Sequence, residues 1–344
     1  MKRKTESPSE WHNTLEERKK AVKEFLEASD NLAGRVKAAI EEEMEKKTFC
    51  DMCLDPVFKK CFTVPENLKV LIEAVLGVKV SNLRILPEEI SHMPGEKGSE
   101  CDVRCMVDLP DGEGKTQSVI IEMQNKWSSE IMPRLVYYSY RSSTEKIRKG
   151  VSYTQYIPVI TICITREIPG EYEEMKKDDW SRDLVDDIRM RVPSGKSVFN
   201  GTVIKIVKLP LIMEKAPDEL ESPLEKLMYI LANISNFAMI PENLREYEPI
   251  IDSARLSKFS TKEELIEYME SYAMYSREEE LIKYNRMEAR KEGREEKTAE
   301  IAIECYKKGF SEDVIIDLLK ITSEKLDTIL KDAGLKPSDE TPKS

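Results

Sequence analysis

Glu100 to Gln124 reads E-C-D-V-R-C-M-V-D-L-P-D-G-E-G-K-T-Q-S-V-I-I-E-M-Q, two apolar runs on either side of a turn-forming cluster. In the first run Cys101, Val103, Cys105 and Val107 alternate with Asp102, Arg104, Met106 and Asp108, the period of a half-buried strand. Pro110-Asp111-Gly112 and Gly114 supply the turn. In the second run Val119, Ile121 and Met123 share one face, and Ile120, Glu122 and Gln124 share the other. Pairing across the turn makes an antiparallel hairpin and brings Asp102 and Glu122 together near one end. Two carboxylates held so are costly unless a cation neutralises them, and hard oxygen donors suit magnesium. Acidic residues on the solvated face of an ordinary hairpin would give the same pattern.

The flanking segments fit an α/β arrangement around this hairpin. Asp55 and Pro56 open a helix, with Asp55 able to cap it, and Lys59 lies one turn further on. Leu68, Leu71, Ile72, Val75 and Leu76 form an amphipathic stripe that Gly77 stops. Val78 to Glu89 reads as a short edge strand, and His92 to Gly98 as a polar loop carrying Lys97. After the hairpin a helix is expected from Ser129 to Lys149, with Pro133 tolerated in its first turn. Its basic end (Arg141, Lys146, Arg148 and Lys149) suits either the helix dipole or a nucleic-acid backbone. Tyr156 to Thr165 is a near-continuous apolar run, the mark of a strand covered on both faces. Residues 166–200 read as acidic and irregular, Val203 to Pro210 as a strand, and Leu224 to Ala238 as a helix.

Both ends of the chain are helix-forming. Glu10 to Lys47 is divided by Gly34 and reads as packing helices; from Lys262 the chain is helical and ends in two short helices, Ser311 to Leu319 and Thr322 to Leu330. That pair has the spacing of a helix-turn-helix, but Asp313, Asp317, Glu324 and Asp327 suit contact with protein better than with phosphates. The expected organisation is a helical N-terminal extension over 1–49, an α/β core over 50–240, a helical C-terminal module over 241–336 and a disordered tail over 337–344.

Composition narrows the chemistry. Only two histidines, His12 and His92, are present, so histidine bases and histidine-rich metal sites are poorly supplied. Seven cysteines, with no apolar leader and no run long enough to cross a bilayer, lead us to expect a soluble protein with reduced thiols in a cytoplasm and no membrane partner. Cys50-Asp51-Met52-Cys53 lacks a second ligand pair and a thioredoxin-like setting, so neither zinc nor redox chemistry is expected there. The net charge is −11, yet residues 50–215 hold 24 of the 54 basic and 25 of the 65 acidic residues. The acidity therefore lies in the flanks, and a near-neutral core is compatible with nucleic acid.

A strand Asp, a hairpin and then a strand ending E-x-K or E-x-Q resembles the core of the PD-(D/E)xK nucleases. Lys97-Gly98-Ser99-Glu100-Cys101-Asp102-Val103 followed by Ile121-Glu122-Met123-Gln124 resembles more narrowly the Rpn family of recombination-promoting nucleases and transposases. Asp55-Pro56-Val57-Phe58-Lys59-Lys60-Cys61-Phe62 and Arg134-Leu135-Val136-Tyr137-Tyr138-Ser139 resemble the same family. The resemblance implies a restriction-endonuclease-like α/β fold, a mixed sheet flanked by helices. It also implies a DNA endonuclease that uses Mg2+, with Mn2+ as substitute, linked to recombination or mobile elements. Asp102, Glu122 and the Met123 carbonyl would hold the ion, with Gln124, Lys97 and Asp55 as further catalytic candidates and Arg134, Lys59 and Lys126 facing DNA. The usual motif lysine is replaced by Gln124, which can hydrogen-bond a water but cannot carry charge; Lys97, Lys126 and Lys59 are candidates to supply it. The alternatives are a nuclease core that binds without cutting, and an interaction protein whose helical arms self-associate.

Overall fold

Thr14 and Glu17 cap each other: the Glu17 amide donates to Thr14 Oγ1 at 3.2 Å, and the Thr14 amide donates to the Glu17 carboxylate at 3.0 Å. This reciprocal cap starts helix α1 (Leu15–Ala28), and α2 (Gly34–Lys46) begins at Gly34 after a break over 29–33. The computed structural model describes residues 12–90, 98–110, 116–147, 149–167 and 183–336, and not the side chains of 198–200 and 278–296. Lys97 and Arg148, the turn at 111–115 and the expected disordered tail over 337–344 lie outside the described residues.

Val22, Leu26, Val36, Ile40 and Met44 put α1 and α2 into the main apolar core. Glu43 is buried with them, and burial pushes its carboxyl up against the opposing effect of its Tyr268 hydrogen bond. The Tyr268 hydroxyl donates to Glu43 at 2.8 Å and accepts the Asp51 amide at 3.0 Å, while the Asp51 carboxylate pairs with the buried Arg166 guanidinium. A partnered chain of this kind is what makes buried polar groups tolerable. The thiols of Cys50 and Cys53 are buried beside it and pushed up by that burial, Cys53 to about 12.

Helices α3 (Asp55–Phe62) and α4 (Pro65–Leu76) lead into the strands β1 (Ser81–Leu86), β2 (Glu89–Ile90), β3 (Ser99–Glu100), β4 (Val103–Asp108) and β5 (Thr116–Gln124). Gly77 ends α4 at φ 70°, a left-handed conformation that glycine adopts without strain. Helix α5 (Ile131–Thr144) connects β5 to β6 (Val159–Thr165), and β7 (Val185–Arg191) and β8 (Ser197–Lys208) complete the sheet. The strand order is β1-β4-β5-β6-β8-β7, with β5, β6 and β8 parallel to one another and the other neighbours antiparallel. β2 and β3 form a separate two-stranded ribbon.

The sheet is covered on both faces. Val103, Val119, Ile121, Ile160, Ile162, Ile164 and Val207 face the main core. Helices α6 (Pro223–Asn233) and α7 (Glu248–Ser253) and the start of α8 (Lys262–Lys307) complete that core. On the other face α5 lays Leu135 and Ile131 on Cys163, Ile204 and Ile206, and Tyr138 on Ile120 and Val159. Between these apolar contacts runs a polar seam. Ser139 meets Thr161 at 2.7 Å, Ser118 meets Ser142 at 2.9 Å, and the buried Arg104 reaches Ser142 at 3.2 Å and pairs with Glu145.

Cα packing divides the chain after Tyr275. The second unit carries the end of α8, α9 (Glu312–Leu319) and α10 (Ser323–Asp332), packed around Ala302, Ile315, Leu326 and Leu330. Among the described residues no helix is long and apolar enough to cross a membrane.

Several expectations need correction. β4 is buried on both faces and not half-buried, because α5 covers the side carrying Arg104 and Met106. Asp55 does not cap α3: Leu54 occupies that position, and its carbonyl accepts the Val57 and Phe58 amides at 3.0 and 2.9 Å. Helix α5 ends at Thr144, short of Lys149. Part of the segment expected to be irregular is β7, whose Asp187 is tied to Lys205 at 2.8 Å and to Arg189. Charge pairing along a sheet edge hides such a strand from an apolar pattern.

Leu135 is fully buried and anchors the helix that carries Arg134 and Tyr138. Leu135→Ala is expected to lower stability by about 3 kcal/mol, read as a fall in the midpoint of denaturant unfolding.

Candidate functional site

The β4–β5 ladder runs from Asp108↔Thr116 to Val103↔Ile121 and there stops. Beyond it the two chains fork, and the fork is filled by side chains. The Met123 amide donates to Asp102 Oδ2 at 2.6 Å, and the Asp102 amide donates to Glu122 Oε1 at 3.3 Å. Asp102 sits immediately before β4, and Glu122 sits on the α5-facing side of β5 with Ile120 and Gln124. The hairpin thus brings together the two acids that its alternation pairs. Paired residues in an antiparallel ladder point N–H and C=O toward the same neighbour, so the Met123 carbonyl faces the fork with its amide.

Three elements close around the fork. From α5, the Arg134 guanidinium reaches Glu122 Oε2 at 3.4 Å, its side chain 40% exposed. From β5, the Gln124 amide donates to the same oxygen at 3.2 Å. From α3, the Asp55 carboxylate brings a further negative charge beside Asp102. Lys59, one turn along α3, lies 3.6 Å from Asp55 Oδ2 and 2.9 Å from Glu88 Oε2. Glu88 is held in place because its carbonyl accepts both the amide of Cys101 at 3.2 Å and its thiol at 3.1 Å.

Of the sequence candidates, Asp102, Glu122, Met123, Gln124, Asp55, Lys59 and Arg134 therefore meet in one place. Lys126 lies in the bend after β5, half-buried, and Lys97 is outside the described residues. Glu88 was not foreseen: nothing periodic marks it, and its place follows from the contact with Cys101.

The electrostatics are those of an under-neutralised acidic cluster. Burial raises Asp102 well above the carboxylate range; the Met123 hydrogen bond and Lys59 oppose this, and Asp55 adds to it. Burial likewise raises Glu122, followed by repulsion from Asp102, with Arg134 opposing. Lys59 is lowered by burial, but Glu88, Asp55 and Asp102 more than offset that and hold it above its ordinary value. Among the described residues no three His, Cys, Asp or Glu side chains form a ready-made metal cage. Two buried carboxylates with a backbone carbonyl beside them are nonetheless a hard-oxygen donor set with excess negative charge, and that fits a divalent cation.

The sequence model of the PD-(D/E)XK nuclease family transposases matches residues 52–290. The chain belongs to that family. Neither the curated proteins nor the solved structures include a match to it. The six-stranded mixed sheet with flanking helices is the α/β fold of a PD-(D/E)XK nuclease. The family supports a nuclease- or transposase-related function; its nucleases generally use divalent metals, and it implies a DNA substrate. The matched span leaves out α1 and α2 at one end and α9 and α10 at the other.

Buried carboxylates that repel one another store instability while their charge is not neutralised. An acid whose folded pKa lies above its unfolded value binds more protons when folded, so stability falls as pH rises through that window and the loss is complete above it. Asp102→Asn keeps an acceptor for the Met123 amide and removes the charge. In the presence of chelator it is expected to melt higher than wild type, by about 1–2 kcal/mol above pH 8 and by much less at pH 5. A variant less stable than wild type at high pH would show that the charge is structural.

Proposed function

We propose that this protein is a divalent-cation-dependent DNA endonuclease that hydrolyses phosphodiester bonds in recombination or in the movement of mobile elements. The observation that carries the reading is the meeting of Asp102 and Glu122 in the fork where the β4–β5 ladder stops. Binding alone does not call for two converging buried acids, which cost stability.

Asp102, Glu122 and the Met123 carbonyl would hold Mg2+, with Mn2+ as substitute; once bound, the ion would stabilise developing negative charge and make a coordinated water more acidic. The chain's own groups do the rest. Arg134, partly exposed beside Glu122, is placed to hold a phosphate of the DNA backbone by charge-assisted hydrogen bonds. The side-chain oxygen of Gln124, whose amide nitrogen is engaged by Glu122, would accept a hydrogen bond from the water and leave its proton in place. Asp55 extends the acidic cluster toward α3 and adds its negative charge beside Asp102. Lys126 is assigned to contact with the DNA backbone, and Lys97, outside the described residues, remains a catalytic candidate.

Two broader features support the setting. All seven cysteines are free, six of them buried, in keeping with a cytoplasmic protein. In the second unit Phe310, Val314 and Leu318 are exposed, which supports self-association through the C-terminal helices.

Purified protein is expected to nick supercoiled plasmid in magnesium and to stop in chelator. Asp102→Ala and Glu122→Ala should each slow cutting by about 1000-fold. Arg134→Ala should weaken duplex binding by about tenfold and steepen its loss with salt less than wild type does. Wild type and both acid variants equally silent in magnesium and manganese, on single- and double-stranded DNA, would replace this reading with the interaction protein. Cutting that survives in both acid variants would mean that the site is elsewhere.

A further inference from the structure

The strand position that carries a lysine in the E-x-K form of the motif is Gln124 here, and its amide is spent on Glu122 at 3.2 Å. Glutamine brings no positive charge. Hydrolysis of a phosphodiester builds negative charge on the non-bridging oxygens, and a fixed cation there is among the largest contributions a site can make. Arg134 answers this at the Glu122 side of the fork. On the Asp102 side the cation comes from another element altogether.

Lys59 rises from α3, its side chain one-quarter exposed, and points into the acids. Its ammonium meets Glu88 at 2.9 Å and Asp55 at 3.6 Å, and it also feels the charge of Asp102. Glu88 is no loose surface acid: its carbonyl takes two hydrogen bonds from Cys101, the residue before Asp102. The lysine is thereby aimed along the edge of the fork, and not left to wander in solvent as a lysine on an exposed helix face would.

We infer that Lys59, steered by Glu88, supplies the positive charge at the scissile phosphate that Gln124 cannot, so that a helix lysine replaces a strand lysine. Lys59 is then a catalytic residue and Glu88 a positioning residue. In the reaction a water oxygen bonds to phosphorus, and the bond from phosphorus to the leaving sugar oxygen breaks. One water proton goes to solvent and the leaving oxygen takes one up. Lys59 keeps its protons throughout and donates a hydrogen bond to a non-bridging oxygen. The inference rests on the endonuclease reading, and the experiment separates the two.

Lys59→Gln, Lys59→Arg, and Lys59→Gln combined with Gln124→Lys are compared with wild type in single-turnover plasmid nicking in magnesium. A fluorescein-labelled duplex is titrated with calcium in place of magnesium, and calcium itself is titrated by calorimetry without DNA. Lys59→Gln should cut about 100-fold more slowly while binding the duplex nearly as well as wild type. Lys59→Arg, which keeps the charge and the pairing with Glu88, should fold and retain part of the activity. Adding Gln124→Lys to Lys59→Gln should restore cutting by about tenfold or more, because it returns the charge from the strand side. Calcium should bind Lys59→Gln more tightly than wild type, since a competing cation has left the acids. Cutting by Lys59→Gln at the wild-type rate, a loss of duplex binding as large as the loss of cutting, or unchanged calcium affinity would each overturn the role of Lys59. A wild-type protein that does not cut overturns the endonuclease reading instead, and the calcium titration still decides whether the Lys59 charge is felt in the fork.

Discussion

The Asp102 carboxylate takes the Met123 amide where a backbone carbonyl of the partner strand would otherwise have done so. That substitution ends the β4–β5 ladder and creates the fork. Everything around the site follows from it. The fork needs the hairpin to hold its register, the hairpin needs the apolar face of Val103, Val119 and Ile121 against the main core, and its other face needs α5. A one-residue slip would turn Glu122 toward Val103 and Ile162 and send Ile121 into the fork, so the core enforces the register.

The site acids were legible because strand alternation is a rule about faces. Once the turn was placed, Asp102 and Glu122 had to lie on the same side, and the family motif matched the same two positions. Lys59 and Arg134 were named by the resemblance as facing DNA, but where they would meet was not legible. Each is on a helix, and their convergence depends on how α3 and α5 pack, which no local pattern records. Glu88 was invisible because it is set by a contact across thirteen residues with Cys101. Arg104 misled in the opposite sense: an arginine in an alternating strand suggests solvent, yet here Glu145 and Ser142 make its burial affordable. Strand β7 was missed because its charges pair with one another and with Lys205.

The N-terminal helices show how an added segment becomes part of a core. Outside the matched span, α1 and α2 still bury Ala21, Val36 and Ile40, and Glu43 reaches Tyr268 of α8, whose hydroxyl also serves Asp51. Asp51 holds Arg166, and the Arg166 amide donates to the carbonyl of Gln124 at 3.0 Å. The end of β5, which carries Glu122 and Gln124, is therefore pinned by groups drawn from both ends of the first unit.

Helix α5 meets the sheet through Ser118, Ser139, Ser142 and Thr161 as well as through leucine and isoleucine. Apolar side chains attract but do not index: a helix lying on a greasy strand can creep along its axis or roll by a fraction of a turn at small cost. Hydroxyl pairs at 2.7 and 2.9 Å behave like the teeth of a rack, since any creep breaks both at once. Replacing Ser139 by alanine and Thr161 by valine would keep the apolar contacts and remove one tooth of the gauge that sets where Arg134 stands.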